Sequence, residues 1–170
     1  MDRQPRRATL EIKTKRPVTL WIAFCLACFE VISAVPYGLA LSIDPTGNLV
    51  SMPVKMLMGS PFRDFRIPGL ILLVVLGMGA LLLAIALYRL PSWFWAARLN
   101  PCKSHHWAWT ATFGYGFVLM IWIATQVILI GFDSWLQPLH FAIGLILATV
   151  AMTSPMRRYL NIPRRQEKIG

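Results

Sequence analysis

Residues 67–89 decide the fold class, and they read IPGLILLVVLGMGALLLAIALYR. No charged side chain interrupts this stretch before its last residue, Arg89. At a rise of about 1.5 Å per residue, a helix of this length crosses the hydrocarbon core of a bilayer, which is roughly 30 Å thick. Pro68 suits the first turn of such a helix, because its missing N–H would have no intrahelical partner there. The stretch therefore predicts a transmembrane helix.

Three further apolar stretches predict transmembrane helices, at residues 18–42, 107–130 and 134–153. The chain of 170 residues is 56% hydrophobic but only 14% charged, with a mean hydropathy of +0.57. A soluble domain of this size carries about 25% charged residues. We therefore predict an all-α polytopic membrane protein, with four transmembrane helices in a bundle over residues 18–153. Its predicted connections and basic tails are 43–66, 90–106, 1–17 and 154–170.

The distribution of basic residues predicts the orientation of these helices. Fourteen of the 17 lysines and arginines fall in the two tails or around the connection 90–106. The connection 43–66 holds the other three, Lys55, Arg63 and Arg66. Because basic residues concentrate on the cytoplasmic side, both termini are expected in the cytoplasm (N-in/C-in), with 43–66 as the outer loop. The expected location is a cell membrane, multi-pass, most simply a bacterial inner membrane. The basic tails would face anionic lipid headgroups in the bilayer, and no nucleic-acid role is predicted.

The first predicted helix carries one ionisable side chain, Glu30, within an apolar run. At 100° per residue, small residues (Ala23, Ala27, Ala34), Ser33 and Tyr37 fall within about 60° of Glu30. Small residues mark close helix contacts in membranes, so Glu30 should face the interior of the bundle. There we expect it to be protonated at neutral pH, because desolvation disfavours the charged form. A functional role and a structural role as a polar contact between helices both remain open.

The third and fourth predicted helices also carry polar stripes. Trp122 and Gln126 lie on one stripe of the third helix, and His140 begins a stripe of the fourth. With this topology Tyr37, Gln126 and His140 lie in the outer third of the membrane, and Glu30 lies near its midplane. The pattern predicts a ligand or proton site that opens outward and is floored by Glu30, formed by Glu30, Tyr37, Trp122, Gln126 and His140.

Several enzymatic and cofactor chemistries fit the sequence poorly. Cys25 and Cys28 have the spacing of a redox pair, but they lie opposite Glu30 on the helix and no second pair exists. A haem between two histidines is disfavoured, because His105 and His106 lie at the opposite membrane face from His140. Zinc-protease and serine-hydrolase motifs are absent. We therefore expect no enzyme activity, no cofactor and no metal.

Two resemblances bear on function. The stretch FEVIS at residues 29–33 is similar to the first helix of the small multidrug resistance transporters, in which a membrane-embedded glutamate binds protons and cationic substrates in competition. This resemblance covers about five positions and implies that role for Glu30. Over residues 44–144 the pattern DPTG…GSPFRDFRIPGLILLVVLG…QVILIGFDSWLQPLHFAIG looks like a group of small four-span bacterial membrane proteins without a known activity. That resemblance implies a shared fold alone.

The sequence thus favours a non-enzymatic protein. We expect an accessory, sensing or assembly subunit that binds a partner helix or a small amphiphile in its outer half. The alternative is a proton-coupled transporter of small molecules that uses Glu30. Besides the lipid bilayer, the expected partners are another membrane protein or a second copy of this chain, since small residues such as Gly144 and Ala148 permit helix association.

Overall fold

The computed structural model describes residues 15–162, and every regular element in that range is helical. The all-α prediction is confirmed for this part of the chain. Most basic residues of the predicted tails, in 1–14 and 163–170, lie outside the described residues. Besides two short 3-10 helices, Asn48–Val50 and Val54–Leu57, the helices are α1 (Val18–Ile43), α2 (Arg66–Ile71), a π-helical segment (Leu72–Met78), α3 (Gly79–Arg89), α4 (Phe94–Leu99), α5 (Trp107–Ile130), α6 (Leu136–Met152) and α7 (Ser154–Tyr159).

Three of the helical stretches are long and apolar enough to cross a membrane: Val18–Ile43, Arg66–Arg89 and Trp107–Ile130. Helix α6 is apolar but shorter, with 17 residues. Its start is fixed by Gln137, whose side chain accepts a hydrogen bond from the Asp133 N–H and donates one to the Gly131 carbonyl, at 3.1 and 3.2 Å. Because these bonds hold residues 131–135 in an irregular turn, the helix begins at Leu136.

The stretch Arg66–Arg89 runs antiparallel to α1 and packs closely against it. A Cβ added to Gly38 would lie 2.7 Å from the Leu73 backbone nitrogen, and one added to Gly69 would lie 2.7 Å from the Leu41 Cβ. These distances are shorter than any ordinary contact, so both positions require glycine. Small residues thus let the two backbones approach closely, as small residues do in the helix pairs of membrane proteins.

Helices α5 and α6 form a second antiparallel pair, again around glycine. A Cβ on Gly116 would lie 2.5 Å from the Gly144 carbonyl oxygen and 2.9 Å from the Ala148 nitrogen. Trp109 extends this contact by donating from Nε1 to the Ala151 carbonyl at 2.7 Å. The small residues from which we predicted helix association therefore pack within the chain itself.

The two helix pairs share one core, built from α1, α3, α5 and α6 together with the π-helical segment. Its fully buried side chains include Leu20, Leu76, Leu87, Leu119 and Leu147. We call the end of the molecule that carries Val18, Arg89 and Trp107 the proximal end. The other end, at which α1 and α5 finish, is the distal end.

The long connection, residues 44–65, folds over the distal end as turns and two short 3-10 helices. Asp44 accepts hydrogen bonds from the Thr46 hydroxyl and from the Thr46 and Leu49 N–H groups. These bonds, of which the one from the Thr46 hydroxyl acts most strongly, hold the pKa of Asp44 below its usual range. Gly47 then turns the chain at φ 78°, the left-handed region that favours glycine. Phe65 and Leu57 pack on Leu41 as a small second core, which fastens the connection to α1.

The proximal end is more ordered than the predicted tail 154–170 suggests. Helix α7 buries Met156 completely, and Leu160 behind it is 2% exposed. These residues are four apart and therefore lie on one helical face. The His106 N–H donates to the Leu160 carbonyl at 2.7 Å, and the Ile162 N–H donates to the Ser104 carbonyl at 2.9 Å. The segment after α6 is thus a packed part of the molecule up to Ile162.

Candidate functional site

Glu30 lies in the core, on the face of α1 that is lined by small residues. Ala23 and Ala27 are fully buried, Ala34 is 4% exposed, and Glu30 itself is 1% exposed. Its Oε1 atom has no hydrogen-bond partner among the described residues. A buried polar oxygen without a partner is costly, so the surroundings of this atom call for an explanation.

His140, in the first turns of α6, is the side chain that approaches Glu30. Its Nε2 atom lies 3.9 Å from Glu30 Oε1 and 3.3 Å from Ser33 Oγ. Its Nδ1 atom lies 2.8 Å from the Leu136 carbonyl oxygen. A carbonyl can only accept, so Nδ1 carries a hydrogen, and Nε2 of the neutral ring is left as an acceptor that faces Glu30 and Ser33.

This arrangement provides two places for one proton. The proton can reside on the Glu30 carboxyl group beside a neutral imidazole, or on His140 Nε2 beside a carboxylate. The side chain of His140 is 16% exposed whereas that of Glu30 is 1% exposed. His140 is therefore a partly exposed side chain that lies beside the buried carboxyl group, at a distance beyond that of a hydrogen bond.

A second buried polar contact lies between α5 and the π-helical segment. The Tyr115 hydroxyl donates to the Leu76 carbonyl at 3.0 Å. In a π-helix the backbone bonds run from i to i+5, which widens the helix and redirects its carbonyl groups. Tyr115 thus ties α5 to the irregular stretch of the neighbouring helix.

A cavity of about 320 Å³ lies at the distal end, beneath the long connection. Its walls come from α1, α5, the connection and the start of the second helical stretch. They are almost wholly apolar, with Ser60, Thr125 and Gln126 as the polar side chains. The apolar walls include Leu41, Leu57, Phe62, Phe65, Trp122 and Leu129. Volume and lining match those of pockets that bind small apolar or amphiphilic molecules.

The five predicted site residues fall into three places. Glu30 and His140 lie together in the core. Trp122 and Gln126 line the distal cavity. Tyr37 belongs to neither group, because its side chain is 46% exposed on the surface of α1. The structure therefore separates the Glu30–His140 pair from the distal cavity, rather than forming one pocket floored by Glu30.

Three residues that form the buried polar contacts or the cavity wall were not among the predicted site residues. Ser33 lies on the same face of its helix as Glu30, and Tyr115 lies on the same face as Trp122 and Gln126, so the helical spacing could have indicated both. No feature of the sequence could have indicated Phe65, because its place in the cavity wall depends on how the long connection folds.

Metal-ligating residues do not cluster in residues 15–162, where no three His, Cys, Asp or Glu side chains come together. Cys25 and Cys28 are free thiols on α1, and Cys25 is exposed. Cys102 lies in the proximal connection, with its Sγ 3.5 Å from His105 Nδ1.

Comparisons with family models, with curated proteins and with solved structures found no match to this chain. Both resemblances described above therefore stay predictions.

Proposed function

We propose that this chain is a four-span integral membrane protein without enzyme activity. It serves as an accessory, sensing or assembly subunit that binds a small amphiphile in its distal half. Three helices of spanning length support the four-span arrangement. The 17 residues of α6 extend about 26 Å, close to the roughly 30 Å of a hydrocarbon core.

The proposed orientation places the proximal end in the cytoplasm. The basic residues concentrate around that end and in the two tails, and the positive-inside rule assigns such a face to the cytoplasm. The distal cavity then lies within the outer half of the membrane. A lipid-like molecule could enter it from the bilayer or from the outer surface.

The distal cavity is the observation that carries this proposal. Its apolar walls suit a hydrocarbon chain, while Gln126 offers a hydrogen-bond donor and an acceptor for one polar group. An amphiphile satisfies both requirements. A partner helix would instead need a long groove along the helices, whereas the long connection forms part of the wall of this cavity.

Photo-crosslinking tests the proposal. The full chain in lipid nanodiscs is irradiated with a long-chain fatty alcohol that carries a diazirine, and the labelled peptides are located by mass spectrometry. We expect labelling of cavity-lining peptides in α5 and in the long connection. Leu129→Trp, which fills the cavity, should reduce it severalfold. The matched control is Ile128→Trp, because Ile128 is on the same helix but 82% exposed outside the cavity. Equal labelling of both variants would contradict a cavity site.

A second candidate function rests on a separate observation, the pairing of buried Glu30 with His140. A proton-coupled transporter needs a buried group that exchanges a proton with one side, and this pair has the required arrangement. The test uses proteoliposomes with an internal pH dye and an aromatic cation such as ethidium as the probe. Transport predicts cation-driven proton flux that Glu30→Gln abolishes and that Asp133→Asn, at an exposed distal carboxylate, preserves. No flux above that of empty liposomes would leave Glu30 as a polar contact between helices.

A further inference from the structure

A polar cleft of about 300 Å³ lies at the proximal end, remote from both the Glu30–His140 pair and the distal cavity. All of its lining side chains are polar or charged: His105, Ser154, Arg157, Arg158 and Asn161. The side chains that line the distal cavity are mostly apolar, so the two sites suit different chemical groups.

The backbone around the cleft is held in place by packing and hydrogen bonds. Met156 and Leu160 anchor the segment that carries the arginines into the core. The same segment is joined to the connection before α5 by the two backbone hydrogen bonds at His106 and Ile162 described above. His105 also stacks on Trp109 of α5, with ring centroids 4.8 Å apart. The polar side chains thus project from a backbone that is already ordered.

The cleft carries positive charge, and no carboxylate of residues 15–162 lies near it. The four acidic residues in that range are Glu30, Asp44, Asp64 and Asp133. Glu30 lies in the core, and the other three lie at the distal end. Adjacent Arg157 and Arg158 therefore face no described carboxylate, and each guanidinium offers a planar fork of donors that matches phosphate oxygens.

We propose that the proximal cleft binds a phosphate group, held by Arg157 and Arg158. The Ser154 hydroxyl and the Asn161 amide supply further hydrogen-bond donors. A phosphate of this kind has two sources, the headgroup of an anionic phospholipid and a free phosphate or soluble phosphate ester. The inference does not depend on the proposed amphiphile in the distal cavity or on which compartment the proximal end faces.

Native mass spectrometry of the full chain in detergent tests the cleft. The probes are phosphatidic acid, a neutral diacylglycerol with the same acyl chains, and inorganic phosphate. We expect retention of phosphatidic acid over diacylglycerol. Arg157→Gln with Arg158→Gln should weaken that binding by about tenfold or more, since each lost charge-assisted bond contributes strongly. The matched control, Arg89→Gln with Arg98→Gln, removes two exposed charges from the same end without touching the cleft.

The outcomes distinguish a phospholipid from a soluble phosphate as the ligand, and both from the absence of a phosphate site. If millimolar inorganic phosphate displaces phosphatidic acid, the site recognises the phosphate itself, and soluble phosphates are its ligands. If the lipid resists displacement, the headgroup together with its chains is the ligand. Equal losses in the two double variants would show that only the overall charge matters, and would overturn the proposal. So would equal retention of diacylglycerol and phosphatidic acid. Circular dichroism of each variant checks that the helices are intact.

Discussion

Substitution of Gly116 by alanine should force α5 and α6 apart. The new Cβ would lie 2.5 Å from the Gly144 carbonyl oxygen, whereas ordinary contacts begin at 3.4 Å. The helices must therefore separate by about 0.9 Å at this point, because both partners are backbone atoms and neither can swing away. Overpacking of this kind costs about 1–3 kcal/mol of unfolding free energy.

Gly114 offers a matched control on the same helix. A Cβ there meets nothing within 4 Å, so alanine should be neutral or should stabilise the helix by up to about 1 kcal/mol. The two variants are compared by reversible unfolding in mixed detergent–lipid micelles, followed by circular dichroism. Trp109 provides a local readout, because separation of the helices should weaken its bond to the Ala151 carbonyl and shift its fluorescence. If Gly116→Ala unfolds with the same free energy as Gly114→Ala, the close packing of α5 on α6 is refuted.

Three further substitutions test other contacts. Tyr115→Phe removes the hydrogen bond to the Leu76 carbonyl, and should cost about 0.5–1.5 kcal/mol in the same unfolding assay; a neutral effect would mean that the bond contributes nothing. Burial lowers the pKa of His106, whose Nδ1 accepts from the Ala108 N–H at the start of α5. The unfolded chain therefore binds more protons, so stability should fall as the pH drops below about 6.5, and His106→Asn should flatten that part of the pH profile. Gly47→Ala places a Cβ against a backbone carbonyl at a left-handed φ, so it should displace the long connection and abolish diazirine labelling of the distal cavity, whereas unchanged labelling would contradict the role of this turn.

The sequence predicted the helices well because their signals are local. Apolar runs between basic or turn residues locate α1 and α5, and a projection at 100° per residue places Ala23, Ala27 and Ala34 beside Glu30. All three alanines are buried with it. The agreement follows from the regular geometry of a helix, in which spacing along the chain sets direction.

Tyr37 is a residue whose burial the helical projection predicted wrongly. It shares the direction of Glu30 on α1, yet its side chain is 46% exposed. His140 contacts α1 at Ser33, and α6 begins only one turn before His140, at Leu136. Tyr37 therefore lies at the level where the neighbouring helix starts, and helix direction alone does not reveal where a neighbour ends.

The distal cavity and the π-helical segment could not be predicted from the sequence, for a different reason. The cavity wall depends on turns at Asp44 and Gly47, which bring Phe65 back onto Leu41. The π-helix arises in a run of aliphatic residues, Leu72–Met78, that reads as ordinary helix. The cavity is set by contacts between segments distant in sequence, and the residues of the π-helix carry no local mark that distinguishes them from ordinary helix.

The π-helical segment makes one part of the apolar stretch Arg66–Arg89 tolerant of the loss of a residue. In an α-helix, deleting one residue turns everything beyond it by about 100° and carries packed side chains off the core. Leu72–Met78 already holds more residues per turn than the α-helices on either side. Loss of one residue here, for example Val74 on the exposed face, can be absorbed by tightening the segment to α-helix. Gly69 and Leu83 would then still point in the same directions, so deletions of one residue among natural variants of this protein should collect within these seven positions.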